Sequence, residues 1–590
     1  MKLKRIGVVA AVVAAGALAL SGCSAGSGDT SEIVKGTSIT VAQNSGFTSY
    51  NSLSGTGDST YNSNITYMTN SWFNYYDNTP KLVNDTKFGT ETLVKKSPLT
   101  IKYTINSDVK WSDGTPVTAA DLLLDWASSI SKYNNAKGVN FTSASAGGGL
   151  DLATAVPKIS SDGQTMTLVY SKPFVDWVNA LPSTMLPAHV TYQLAFPGTK
   201  SAAANKDVIK AIDSNDTSTL TKMAKAWSTG FDMTSTPSNK ALVLSDGPYV
   251  VSAIAKNASI SLVPNKGYTW GPLPKISKFT FRVIQDPTAQ VQALQNGEVS
   301  VIEGQADADT TSALKALSGV TTTTTPTSTY EHVDLTMNNG GPFDPATYGG
   351  DASKALDVRQ AFLKALPRQE ILTKLINPIA PNEKLDDSQT LLPGAAGYDA
   401  SVAANGSSDY SAVDIAAAKA DLAKAGVSTI SVKFLYGKSN TRRAQEFALI
   451  QASEAQAGIT VVDEGNDDWP TLLGNKSYDA VLFAWQFTSL AVTGGQSQFS
   501  TGGGNNFNGY SNKTVDSDYQ KLQSEYSQPT QLTLLGDVDK QAWSDAYGAT
   551  IFQFPDVTAF SNNISNVVDA PLAPNVFWNF FDWTIKKASK

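Results

Sequence analysis

Residues 99–126 read LTIKYTINSDVKWSDGTPVTAADLLLDW, and two elements can be read directly from this one stretch. Leu99, Ile101, Tyr103 and Ile105 alternate with polar residues, the period-two pattern of a strand with one buried face. Asp113-Gly114, with Pro116 close behind, turns the chain. Thr118-Ala119-Ala120-Asp121 resembles a capping box with Asp at its fourth position, so a helix is predicted to start near Ala119. Leu122, Trp126 and Ile130 follow at helical spacing and are predicted to form its buried face.

Working outward, Ser38–Gln43 reads as the first strand of the fold. Ala241–Val251 reads as a strand broken by Gly247-Pro248, and Phe279, Phe281 and Val283 alternate as another. Thr288–Asn296 is helical and stops at Gly297. The threonine run 321–325, before Pro326, favours extension because threonine is β-branched, so a crossing strand is predicted through Tyr330 to Met337. Further on, a helix over Ala416–Ala425 ends at Gly426, and Ile430, Val432 and Phe434 alternate. Asn440 is placed to cap a helix through Gln456, with strands at Ile459–Val462 and Tyr478–Trp485. Helices alternating with strands imply α/β layers with parallel strands, and no internal repeat is present.

The chain has 590 residues, too many for one ordinary core, so two or three domains are expected. Lys2, Lys4 and Arg5 precede an apolar run from Ile6 to Leu20, which has the form of a secretory leader. It ends in Leu20-Ser21-Gly22-Cys23, which looks like a bacterial lipobox and holds the single cysteine of the chain. Cleavage before Cys23 and acylation of its sulfur would anchor the protein to the extracytoplasmic face of the cell membrane. Ser24–Lys35, small and polar, reads as a flexible tether. Loss of residues 1–22 removes three positive charges and takes the net charge from −7 to −10. An acidic exported chain is a poor nucleic-acid binder, since phosphate binding needs a basic surface.

The segment 99–126 resembles the signature region of the peptide/opine/nickel class of solute-binding proteins of ABC importers, family 5. The similarity continues through Gly247-Pro248-Tyr249, 265–271 (NKGYTWG), 279–297 (FTFRVIQDPTAQVQALQNG), 357–368 (DVRQAFLKALPR), 478–485 (YDAVLFAW) and 506–516 (NFNGYSNKTVD). It is closest to the dipeptide- and oligopeptide-binding lipoproteins of actinobacteria. The resemblance implies a bilobal α/β fold of the periplasmic-binding-protein type (type II, large cluster with an extra domain), its lobes joined by a hinge of two crossing strands. It divides the chain into a leader (1–22), a tether (23–35), a discontinuous domain I (36–80, 237–324 and 561–590), an inserted domain II (81–236) and domain III (325–560). It implies a monomer that captures a small solute by hinge closure and presents it to permease and ATPase subunits, with no cofactor and no metal. The solute is expected to be a di- or oligopeptide. An oligosaccharide in the same class of receptor, or a surface lipoprotein that does not transport, are the alternatives.

In such proteins the strand ending at an aromatic residue, here Trp485, leads into a loop facing the ligand, so Trp485, Gln486, Phe487 and Thr488 are candidate ligand contacts. Peptide-binding members place an Asp three residues after that Trp, for the peptide ammonium. Thr488 stands there, and a hydroxyl supplies no charge. Asp58, in the loop Gly55-Thr56-Gly57-Asp58-Ser59, is the candidate substitute, and Tyr330 a further candidate contact. Trp111 and Trp126 read as core, with Trp485 open to either reading. Arg442 and Arg443, at a helix start, read as a solvated face, and the run 502–506 (GGGNN) as a surface loop.

Catalytic signatures are sparse. Only His189 and His332 are present, and both read as structural. There is no HExxH or GxSxG. Gly57-Asp58-Ser59 looks like the start of a GDS-type lipase motif, but neither histidine has Asp three residues before it. A carboxylate pair acting on a glycoside is set by distance in space and leaves no motif. The protein is expected not to be an enzyme.

Overall fold

The computed structural model describes residues 32–153, 155–303 and 307–586; Cys23, the leader and tether residues 23–31 lie outside the described residues. Leu99–Ile105 is a strand whose odd-numbered residues are buried. It pairs antiparallel with Gly89–Lys96 and Thr165–Val169 in a four-stranded sheet. The helix runs Ala119–Ser129, and its capping box is complete: the Thr118 N–H donates to Asp121 Oδ2 at 2.8 Å and the Thr118 hydroxyl accepts from Ala120 at 3.4 Å. The expected single buried face is too narrow, because all eleven residues are buried. Other helices and the four-stranded sheet cover it, and Asp121 Oδ1 binds the Ala188 N–H at 2.8 Å.

Among the described residues, ten strands form the central sheet. From one edge they are Ile459–Asp463, Ile430–Tyr436, Ala480–Gln486, Val320–Leu335, Gly548–Ser561, Val301–Ile302, Ile39–Gln43, Phe279–Val283, Ser259–Pro264 and Tyr249–Ala255. Pairing is parallel where helices connect the strands, as between Ile430–Tyr436 and both Ile459–Asp463 and Ala480–Gln486. The helix Thr441–Gln456 is capped by Asn440, whose Oδ1 accepts from Arg443 N–H at 3.0 Å. One strand differs from expectation: Lys240–Val243 is a 3-10 turn, and the strand begins after Gly247-Pro248, at Tyr249. Gly247 approaches the backbone of Thr69 and Asn70 so closely that a Cβ there would lie 2.5 Å from the Thr69 carbonyl carbon.

Two large apolar clusters flank the middle of this sheet. One gathers residues from Ile39 to Val301 and from Ile564 to Trp583; the other lies between Val333 and Phe554. The antiparallel strands Val320–Leu335 and Gly548–Ser561 give Val333, Leu335, Phe552 and Phe554 to the second cluster, and Phe560 packs against the first. At their midpoint Pro326 faces Pro555, and regular pairing resumes only at Tyr330 opposite Gln553. Proline has no N–H to donate, so the ladder is weakest where the chain passes from one lobe to the other.

Candidate functional site

A cavity of about 730 Å3 lies beside this crossing and is walled by both lobes. On one wall, the loop before the helix Thr60–Thr69 is pinned by Asn62, whose Oδ1 accepts the Thr48 N–H at 3.0 Å and whose Nδ2 donates to Gly57 O at 2.9 Å. Gly57 is required there, since a Cβ would sit 2.0 Å from Asn51 O. This loop presents Asp58 to the cavity. Protein surrounds Asp58, and desolvation pushes its carboxyl up to about 6. Its side chain is nevertheless exposed to the cleft, so water in the cavity relieves that rise.

On the facing wall, the strand Ala480–Gln486 delivers Trp485 and Gln486, and the loop beyond it delivers Phe487 and Thr488. Trp485 is half-buried, and its ring lies nearly parallel to those of His332 (6.3 Å) and Phe507 (6.2 Å). The Gln486 amide donates to Asn575 Oδ1, and the Phe487 carbonyl accepts from Ser328 Oγ at 2.8 Å. Thr488 is exposed and uncharged. Tyr330 is set back from the cavity: it pairs with Trp485 across the strands, is 3% exposed, and lies with its ring 5.9 Å from that of Phe487.

Arg442 and Arg443 overturn the expectation of a solvated face, for both are buried. The start of their helix turns inward over Glu331 of the crossing strand. Arg443 Nε donates to Glu331 Oε1 at 2.7 Å, Arg442 Nη2 to Oε2 at 3.0 Å, and Arg442 Nη1 to Glu446. Arg443 also lines the cavity, and among the described residues its Nη1 meets no acceptor. Trp111 and Trp126 lie in the core. His189 is buried 3.7 Å from Asp113 of the turn. Burial opposes ionisation of that Asp, yet His189 and Thr115 hold it down to about 2. His332 Nδ1 lies 2.8 Å from Asp334 Oδ1.

Sequence reasoning passed over the acids at the crossing. Glu303 and Asp556 both line the cavity. Burial, together with Asp569, raises Asp556 to about 8; burial, then Asp556 and Asp569, raises Glu303 well above the usual carboxylate range. The signal was present: Asp556 is the sole charged residue in the strand GATIFQFPDVTAFS, and a lone charge in an apolar strand calls for a reason.

Away from the crossing the lobes also touch. The Asp176 carboxylate accepts from Val492 N–H (3.2 Å), Thr493 N–H (2.9 Å) and Thr493 Oγ1 (2.7 Å). The Val175 N–H donates to Gln523 O at 2.8 Å. Asp176→Ala is expected to weaken this contact between the lobes by about 1.5–3 kcal/mol, the range for hydrogen bonds to a charged group. That corresponds to roughly a ten- to hundredfold change in the ratio of molecules with the contact made to molecules with it broken. Small-angle scattering as compact as that of wild type would show that these bonds do not hold the lobes together.

Residues 90–507 match the family described as bacterial extracellular solute-binding proteins, family 5 Middle. An uncharacterized lipoprotein of Mycobacterium tuberculosis is 26% identical over 533 residues, covering 87% of each chain. The oligopeptide-binding protein OppA of the same species is 23% identical over 494 residues, covering 82% of this chain and 74% of that one. Among solved structures, the periplasmic EDTA-binding protein EppA matches with a TM-score of 0.74 at 21% identity, covering 94% of this chain and 97% of its own. The oligopeptide-binding protein AppA from Bacillus subtilis, solved with a nonapeptide, matches at 0.70 and 17%, covering 93% and 99%. These likenesses carry the bilobal α/β fold, and the family match spans most of the sequence: the chain belongs to the bacterial extracellular solute-binding proteins, family 5.

Proposed function

We propose that this protein is the receptor of an ABC importer and captures di- or oligopeptides in the cleft by hinge closure. The closed, loaded form then docks on the permease, and ATP hydrolysis belongs to the partner subunits. The family is one of solute-binding proteins and is non-enzymatic in general. The observation that carries the reading is the cleft itself. Its volume suits a ligand of drug-like size or somewhat larger. Its walls combine aromatic rings, amides and hydroxyls with a guanidinium, Arg443, and carboxylates at Asp58, Glu303, Asp467, Asp468 and Asp556. A peptide has apolar side chains, backbone donors and acceptors, and one charge of each sign, so it can use all of these groups. OppA, named as oligopeptide-binding, and AppA, solved with a nonapeptide, support the same choice.

The Mycobacterium tuberculosis relative at 26% identity is named a lipoprotein, which supports lipid anchoring through Cys23 on the extracytoplasmic face. Among the described residues, no helix is long and apolar enough to cross a membrane. An oligosaccharide ligand is the second reading, favoured by the neutral Thr488 beside Trp485.

The test is to purify the protein without added ligand, denature it and identify the released small molecules by mass spectrometry. Short peptides are expected. Release of oligosaccharides alone would replace the peptide reading with the second.

A further inference from the structure

We propose that Asp556 and Glu303, backed by Asp569, form the seat for a ligand ammonium at the hinge end of the cleft, so that the captured solute carries a free amine there. This deepens the reading of the cleft as the ligand site and rests on it.

The strand register builds the seat. Val301 pairs with Phe560 and Ile302 with Ala559, so Glu303 falls beside Thr558, two residues from Asp556. On the neighbouring strand, Thr323 pairs with Thr558 and Thr325 with Asp556. Side chains alternate along a strand, so Glu303, Asp556, Thr323 and Thr325 project from one face of the sheet. Asp569 joins them there, its Oδ2 accepting from Thr323 Oγ1 at 2.5 Å and Thr325 Oγ1 at 3.2 Å.

What is missing at this place is a cation. Asp556 is 8% exposed and lines the cavity, yet among the described residues no side chain donates to it. Asp569 Oδ1 is buried with no partner. No Lys or Arg among the described residues pairs with any of the three acids, whereas buried Glu331 has two arginines and Asp421 two lysines. Like charges brought together out of water disfavour one another, and a cation between them removes the penalty. No described group of three His, Cys, Asp or Glu residues is placed to hold a metal ion. An ammonium, with three donors, fits separated carboxylates. Arg443 also lines the cavity, with the exposed Asp467 and Asp468. Asp58 stands alone and exposed to cleft water, which screens it. The structure therefore points to Asp556 for the role that the sequence suggested for Asp58.

The test is titration calorimetry on the full-length chain in detergent with four probes: trialanine, N-acetyl-trialanine, putrescine and maltotriose. Wild type is expected to bind trialanine at least tenfold more tightly than its acetylated form. Asp556→Asn should abolish that preference without lowering the melting temperature of the empty protein, because among the described residues no side chain donates to Asp556 and the amide has nearly the same shape. Asp58→Asn should keep the preference. Glu303→Gln, expected to act like Asp556→Asn, serves if the first variant does not fold. A preference that survives in Asp556→Asn overturns the proposal, as does a wild type that binds none of the amines. Equal binding of the two trialanines would leave the peptide reading standing and remove the seat. Binding of putrescine but neither peptide would keep the seat and remove the peptide reading, and binding of maltotriose alone would remove both.

Discussion

Glu331→Ala is expected to destabilise the protein by about 3–5 kcal/mol, the cost of removing one partner from a buried ion pair. Glu331 is 0% exposed in the strand that links the lobes, and it accepts from Arg442 and Arg443, themselves buried. Arg442 also lies over Phe552 (5.4 Å) and Phe554 (4.9 Å), where no water can solvate it. Burial alone would raise the Glu331 carboxyl, but the two guanidinium groups hold it below its ordinary value of 4.5. Glu446 cannot replace it, because burial, and repulsion from Glu331, push its carboxyl up to about 7 despite Arg442.

The pH dependence follows from these directions. A depressed carboxyl stabilises above its unfolded value, so the Glu331 contribution is present above about 4.5 and is lost as pH falls through the lower folded value. A raised carboxyl does the reverse: Glu446 holds its proton in the folded protein between 4.5 and about 7, so stability falls as pH rises through that window. In Glu331→Ala the repulsion is gone and Glu446 ionises earlier. The gap between variant and wild type is therefore expected to be widest between about 4.5 and 7. Urea unfolding at pH 4, 6 and 8 reads it. A loss below about 1 kcal/mol at pH 6, the scale of a surface pair, would show that the quartet is solvated.

Arg368→Met is expected to cost about 3–4 kcal/mol, since hydrogen bonds from a charged donor contribute about 1.5–3 kcal/mol each and are not additive. Arg368 closes the segment DVRQAFLKALPR and is buried. Its Nε donates to Thr550 O at 2.7 Å, and its Nη2 to Asp386 O and Asp387 Oδ1, both at 2.8 Å. Its guanidinium lies 5.1 Å from the Trp543 ring. One planar fork thus ties the turn at 386–387 to the crossing strand Gly548–Ser561. Methionine fills the space and supplies no donor. Arg368→Lys is expected to recover less than half of the loss, because an ammonium on a single stem cannot reach donors' partners in several directions. Hydrogen exchange over 385–391 and 548–552 should accelerate in both variants. Unchanged protection in Arg368→Met would mean that the turn is held by its other bonds.

Local elements were legible because their causes are local. Thr118 caps its helix through residues within one turn, as does Asn440, and Leu99–Ile105 shows its buried face in its own alternation. The errors arose where the cause is distant. Arg442 looked solvated because Glu331, which buries it, lies 111 residues earlier. Tyr330, a candidate contact, is 3% exposed with its ring 5.9 Å from that of Phe487, a neighbour that the sequence does not reveal. The helix after Thr118 showed one apolar stripe, while its polar positions are covered by neighbours that only the fold brings there.

By itself, then, the sequence determined the family, the alternation of helices and strands and the first of the two crossing strands. Caps, turns and periodicity act over a few residues, and the family segments keep their order along the chain. Only the tertiary structure decided which charges are answered. It paired Glu331 with two arginines, left Asp556 and Glu303 facing an open cleft, and set Pro326 against Pro555 at the crossing. The energy of a charge or a missing N–H depends on what surrounds it in space, and here those surroundings come from segments 111 to 235 residues apart.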